Sequence, residues 1–185
     1  MRVGIDFDNT LAGYDAVFRD EAVALGLLPP GFAGGKTEVK AALSDSDWQR
    51  LQGQAYGRLM PRADLIAGAD HFLIRCRRKG ARVFVVSHKT RFGHFDPARV
   101  DLRAAARAWM EAKGFFSVLD VDRDDVFFEE TREAKIARIA ALRLDHFVDD
   151  LKEVLDDPGF PPGPRRHWFT GDWPAIEREV FADAA

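Results

Sequence analysis

Apolar residues in this chain gather in short runs, separated by longer stretches in which they recur every three or four positions. The runs Arg2 to Phe7, Arg82 to Val86, Val126 to Phe128, His146 to Val148 and His167 to Phe169 read as strands. Between them, Leu65, Ala69, Phe72, Leu73 and Cys76 share one face of a helix from Asp64 to Lys79 that stops at Gly80. A second helix, after Asp96-Pro97, places Leu102, Ala105, Ala106, Trp109 and Met110 on one face and ends at Gly114. Strands alternating with amphipathic helices predict an α/β fold, a doubly wound, mainly parallel, Rossmann-like sheet.

Residues 12 to 62 break that alternation. They read as a helix burying Tyr14, Val17, Phe18 and Leu25, a Pro/Gly-rich break at Pro29 to Gly35, and helical stretches from Thr37 and from Ser46 to Met60. The expected organisation is therefore an α/β core made of residues 1–11 and 63–185, with a helical insertion of residues 12–62 after the first strand.

Polar residues at the strand ends carry the candidate chemistry. In Ile5-Asp6-Phe7-Asp8-Asn9-Thr10, alternation along the strand sends Asp6 and Asp8 to one side. The apolar run Val83 to Val86 ends in Ser87, Thr131 opens a helix carrying Lys135, and His146-Phe147-Val148 ends in Asp149-Asp150. In open α/β sheets ligands gather at the carboxyl ends of strands, and Asp6, Asp8, Ser87, Asp149 and Asp150 all fall there. Lys135 lies near a helix start beside Ile136, Ile139 and Ala140, whose spacing marks a buried face, so its ammonium can point toward the strand ends.

The ordered set DFDNT, Ser, Lys, DD resembles the haloacid dehalogenase-like (HAD) superfamily of phosphohydrolases over residues 5 to 150. Asn9 is a departure, since many members have glycine there. A receiver domain also uses acids, a hydroxyl and a lysine, but its acceptor aspartate lies on a later strand than its metal-binding acids. A carbon-halogen dehalogenase of the superfamily typically lacks the second aspartate, which this chain keeps as Asp8. The resemblance implies that residues 12–62 form a cap that screens the site and chooses the substrate.

Phosphoester hydrolysis needs an in-line nucleophile, neutralisation of the charged oxygens, and a proton for the departing alcohol. Asp6 suits the nucleophile, forming an aspartyl-phosphate, and Asp8 suits the acid that protonates the leaving group and then deprotonates water. Ser87 would donate to a phosphate oxygen and Lys135 would offset charge on Asp6 and the transferring group. Carboxylates crowded around a phosphate repel it unless a hard cation intervenes, which implies Mg2+. By the resemblance its ligands are the Asp6 carboxylate, the Asp8 backbone carbonyl and the Asp149 carboxylate, supported by Asp150 or Glu153. Arg58, Arg62 and Lys89 are candidates for substrate specificity, and His88 and Lys89 for contacts to phosphate or leaving group.

Composition narrows the setting. The 185 residues are 46% hydrophobic and 31% charged with a net charge of −3, which leaves no electrostatic footprint for nucleic acid or an anionic membrane. Cys76 is the one cysteine, so no intrachain disulfide or cysteine-rich zinc site is possible. No apolar run approaches the roughly 20 residues of a membrane span, and the first strand leaves no space for a signal peptide, so a cytoplasmic protein is expected. Asp120 to Asp125 begins like a calcium loop but lacks its glycine and bidentate glutamate, and reads as an acidic connector. Trp48, Trp109, Trp168 and Trp173 read as packing residues. The expectation is a Mg2+-dependent phosphatase of a small phosphorylated metabolite, with a phosphotransferase or mutase, or a noncatalytic phosphate-binding regulatory domain, as the alternatives.

Overall fold

The computed structural model describes residues 1–93 and 98–182. His94, Phe95 and the Asp96-Pro97 helix start expected from the sequence lie outside them. The chain forms two compact units, one from Met1–Ala12, Leu65–Lys89 and Glu111 onward, the other from Gly13–Asp64 and Thr90–Met110.

The first unit is built on five parallel strands: β1 (Arg2–Ile5), β4 (Arg82–His88), β5 (Val126–Glu129), β6 (His146–Asp149) and β7 (Arg165–Trp168). Their order across the sheet is β5-β4-β1-β6-β7. The chain starts at the centre, steps outward through β4 and β5, and then crosses to the other side of β1. That reversal puts the switch point of the sheet between β1 and β6, where loops leave in opposite directions and open a crevice. Val83, Phe84, Val85 and Val86 are all buried, so both faces of β4 are covered, which is why this strand reads as an unbroken apolar run.

Phe84, Val86, Ile139, Leu144, Phe147, Val154, Leu155 and Phe160 pack into one cluster of that core. Gly4 on β1 is required by this packing, because a Cβ there would sit 2.6 Å from the Phe147 ring. Elsewhere in the unit, α4 (Ala69–Arg78) lies against α8 (Trp173–Val180) through the rings of Phe72 and Trp173, 4.7 Å apart. The expected helix from Asp64 starts later than its apolar pattern suggests. Asp64–Leu65 form a short strand, β3, beside β2 (Ala12–Gly13), and Gly68 at φ 90° then turns the chain into α4. The acidic connector is a 3-10 turn whose Asp125 accepts two hydrogen bonds from Arg82, at 2.6 and 2.8 Å.

The second unit is helical. It contains α1 (Asp15–Ala24), α2 (Lys36–Ala42) and α3 (Asp45–Tyr56), the last capped by Ser44, whose hydroxyl accepts from the Asp47 N–H. Tyr14, Phe18, Trp48 and Tyr56 form its aromatic centre, with Phe18 and Trp48 stacked at 4.8 Å. Leu25, expected inside, is 49% exposed, because α1 ends at Ala24 and the chain turns away at Gly26. The helix α5 (Leu102–Ala112) starts at Asp101, whose carboxylate accepts from the N–H groups of Arg103 and Ala104 and pairs with Arg91. These contacts hold the Asp101 carboxyl below its ordinary range, led by the Ala104 N–H.

Thr90–Met110, expected within the core, groups with the helices in the second unit. The buried Trp109 of α5 donates its indole N–H to the Ala63 carbonyl at 2.9 Å, and a Cβ on Gly93 would sit 2.7 Å from the Gly53 Cα, which leaves no room for one. Amphipathicity had marked the buried face of α5 without saying what covers it.

Candidate active site

Asp6 follows β1 directly, and its N–H donates to the Val148 carbonyl at 2.9 Å, continuing the β1–β6 ladder by one bond. That bond sets Asp6 beside Asp149, the last residue of β6, across the switch point. From β4, on the other side of β1, the Ser87 hydroxyl donates to Asp6 Oδ1 at 2.8 Å. The helix α6 (Arg132–Leu142) is capped by the Thr131 hydroxyl, which accepts from the Ala134 N–H, and its first turn sends Lys135 inward beside Ile136 and Ile139. Lys135 Nζ donates to Asp6 Oδ1 and to Asp149 Oδ2, both at 2.6 Å.

Four side chains from four elements thus meet in a buried cluster: Asp6, Ser87, Lys135 and Asp149 are each 4% exposed or less. One ammonium faces two carboxylates, so negative charge is in excess. Burial, and then the charge of Asp6, push the Asp149 carboxyl up from 3.8 to about 6, although Lys135 and the Leu151 N–H act in the opposite direction. Burial disfavours the charged Lys135, but Asp6 and Asp149 outweigh it and raise its pKa.

Asp150 completes a group with Asp6 and Asp149 in which one oxygen from each lies within 4.8 Å of the others. An all-carboxylate set with surplus negative charge is what a hard divalent cation binds, and these residues fit one. Glu153, the alternative to Asp150, lies on the exposed side of α7 (Lys152–Leu155), 3.9 Å from Arg132.

Asp8 stands two residues beyond Asp6, and both its oxygens accept from Lys89 Nζ, at 2.9 and 2.7 Å. Lys89 is only 4% exposed. Between Asp8 and Thr10, Asn9 adopts φ 62°, the left-handed region that asparagine tolerates better than most residues other than glycine. Among the described residues the buried Thr10 hydroxyl has no hydrogen-bond partner, and the Thr10 carbonyl accepts from the Trp173 indole at 3.2 Å.

Other residues singled out by sequence fall elsewhere. His88 alternates away from Ser87 and Lys89 along the strand, is exposed, and its Nε2 lies 3.0 Å from the Glu130 carbonyl, so the structure does not bring it to Asp6. Arg58 and Arg62 belong to the second unit, where Arg58 pairs with Glu21 and Gln54, and Arg62 with Asp20 and Glu21. Trp168, expected to pack inside, is 52% exposed and donates its indole N–H to the Asp150 carbonyl at 3.0 Å, which ties β7 to the Asp149-Asp150 turn. Sequence reasoning missed the Lys89–Asp8 pair. Its available signal was spacing: Ser87 near the end of β4 and Lys89 just past it repeat the two-residue interval of Asp6 and Asp8.

No protein-family model matches the chain, and no curated protein matches it. Solved structures do resemble it. A HAD-superfamily hydrolase from Ehrlichia chaffeensis aligns at a TM-score of 0.57 and 12% identity over 100% of this chain and 97% of that one. A hydrolase from Streptococcus pneumoniae TIGR4 aligns at 0.59 and 14% identity, over 98% and 97%. A HAD-superfamily hydrolase of subfamily IA from Geobacter sulfurreducens PCA aligns at 0.56 and 13%, over 100% and 96%. The chain has the HAD-like α/β fold.

Proposed function

We propose that the protein is a phosphohydrolase that attacks the phosphorus of a small phosphorylated metabolite with the Asp6 carboxylate. The observation that carries this reading is the setting of Asp6, whose Oδ1 is held by both the Ser87 hydroxyl and the Lys135 ammonium at the switch point of a parallel sheet. A nucleophile fixed by two donors loses little freedom on reaching an in-line geometry. Lys135 and Ser87 also supply a cation and a hydroxyl donor beside it, for the oxygens that carry charge during transfer.

Attack by Asp6 makes the aspartyl-phosphate and releases the alcohol, whose oxygen takes its proton from Asp8. Asp8 then accepts a proton from water as that water attacks the phosphorus, returning Asp6 and inorganic phosphate. Asp6, Asp149 and Asp150 would hold a divalent cation, with Mg2+ as the preferred ion for this oxygen-only set. Bound there, the ion neutralises carboxylate and phosphate charge that would otherwise repel.

Phosphate release from a panel of sugar phosphates, nucleoside monophosphates and other phosphorylated metabolites, with and without Mg2+, tests the reading, with Asp6→Asn as control. Metal-dependent release that vanishes in Asp6→Asn is expected. Release that persists in that variant, or none from the folded wild type, contradicts it.

A further inference from the structure

Lys89 stands outside the set of residues that the sequence motifs mark for the chemistry, yet it is as deeply buried as Asp6. Its place is fixed by the sheet. The Lys89 N–H donates to the Glu129 carbonyl at 2.8 Å, one step beyond the His88–Glu129 pair that closes the β4–β5 ladder. The side chain passes the Phe7 ring, with Nζ 5.5 Å from its centroid, and Phe7 is held edge-on by Phe128 at 5.5 Å. The ammonium ends on both oxygens of Asp8.

The geometry pairs two neighbouring segments residue for residue: Ser87 reaches Asp6, and two positions on, Lys89 reaches Asp8. Successive alternate residues of a strand project to one side, so a lysine two places after Ser87 is directed at the carboxylate two places after Asp6. A carboxylate that serves first as acid and then as base must keep an oxygen within hydrogen-bond reach of the leaving group and then of water. The Asp8 side chain is 17% exposed, and a two-point contact from a buried ammonium restricts the rotamers open to it.

We infer that Lys89 is a positioning residue for Asp8, orienting its carboxylate toward the leaving-group oxygen rather than binding substrate itself; this rests on the phosphohydrolase reading above. In the acid step the P–O bond breaks, its electron pair stays on the departing oxygen, and the Asp8 proton goes to that oxygen. Lys89 donates to Asp8 throughout and transfers no proton.

Asp8→Asn, Lys89→Met and the double variant form a cycle, with kcat and KM measured on aryl phosphates, whose alcohols leave easily, and on alkyl phosphates, whose alcohols need the proton. Expected for Lys89→Met is a kcat loss of about tenfold or more on alkyl esters, a smaller loss on aryl esters, and a nearly unchanged KM. The double variant should be about as active as Asp8→Asn, because once Asp8 cannot act its orientation no longer matters. A rise in KM shared by all esters, or losses that multiply in the double variant, would overturn the inference while leaving the phosphohydrolase intact. Should Lys89→Met not fold, Lys89→Arg keeps the charge and shifts the geometry. The same leaving-group-selective kcat loss is expected from it, and a uniform KM effect overturns the role. A wild type that hydrolyses none of the esters overturns the proposed function, and this inference with it.

Discussion

Lys135 in the first unit and Arg58 in the second each reach two acceptors, but their surroundings differ. Lys135 is 1% exposed and bridges Asp6 and Asp149, whereas the Arg58 side chain is 51% exposed and faces Glu21 and Gln54. Water screens the arginine pair, so such a contact contributes about 0 to 1 kcal/mol. Around Lys135 there is little water to share the load, and removing one partner leaves an uncompensated buried charge. The contrast shows where the molecule tolerates electrostatic cost. In the helical unit the arginine keeps its own charge in water above a buried Glu21, and at the strand ends of the sheet both signs are buried and left unbalanced.

Asp6→Asn should have the largest effect, because it changes one of the two carboxylates that Lys135 faces. Removing the proposed nucleophile is expected to lower kcat by at least about 10³-fold. The Tm should hold or rise, because Asp6 is one of the charges that disfavour ionised Asp149. Phosphate release and a thermal melt on the same preparation check both halves.

Lys135→Met comes next. It leaves Asp6 and Asp149 facing each other without their shared cation, and should cost about 3 to 5 kcal/mol in urea unfolding near neutral pH as well as most of the activity. A loss under about 1 kcal/mol would place Lys135 in the same class as Arg58.

A third effect concerns pH. Asp149 titrates at about 6 in the folded chain against 3.8 ordinarily, so the folded state holds this proton more tightly. Its contribution to stability is fully present below 3.8 and is lost as pH rises through about 6, a change of about 3 kcal/mol at most. A divalent cation binds the deprotonated carboxylate, so the Tm gain from Mg2+ should grow across the same window. Melts at acidic and neutral pH with and without Mg2+ measure it, and Asp149→Asn should abolish the pH dependence of the gain.

The smallest effects belong to the second unit. Arg58→Ala and Arg62→Ala should each change stability by no more than about 1 kcal/mol, and less at high salt. A larger, salt-insensitive loss would show that these pairs are not screened.

The buried strands were legible because both of their faces are covered. Runs such as Val83 to Val86 have no polar alternation to confuse them, and the aspartates, Ser87 and Asp149 stand where those runs stop. Lys135 could be aimed at the site because Ile136 and Ile139 fixed the inward face of its helix. What escaped depended on partners distant in sequence. The apolar stripe of α5 did not reveal that Trp109 bonds to Ala63, and two-residue strands such as β2 and β3 are too short to show a period. Leu25 falls on the expected buried face of its helix and Trp168 is expected to pack, yet both are exposed, as single apolar residues ordinarily can be. The Lys89–Asp8 pair likewise joins two segments distant in sequence, and only their shared two-residue interval hints at it.

Asp6 is the proposed carrier of the phosphoryl group. Acid quenching of the enzyme during turnover, followed by borohydride reduction and mass spectrometry of the N-terminal peptide, tests it most directly, since an acyl phosphate at an aspartate is reduced to homoserine. Homoserine is expected at position 6, dependent on substrate and absent from position 8. Steady turnover with Asp6 unmodified, or reduction at Asp8 instead, would contradict it.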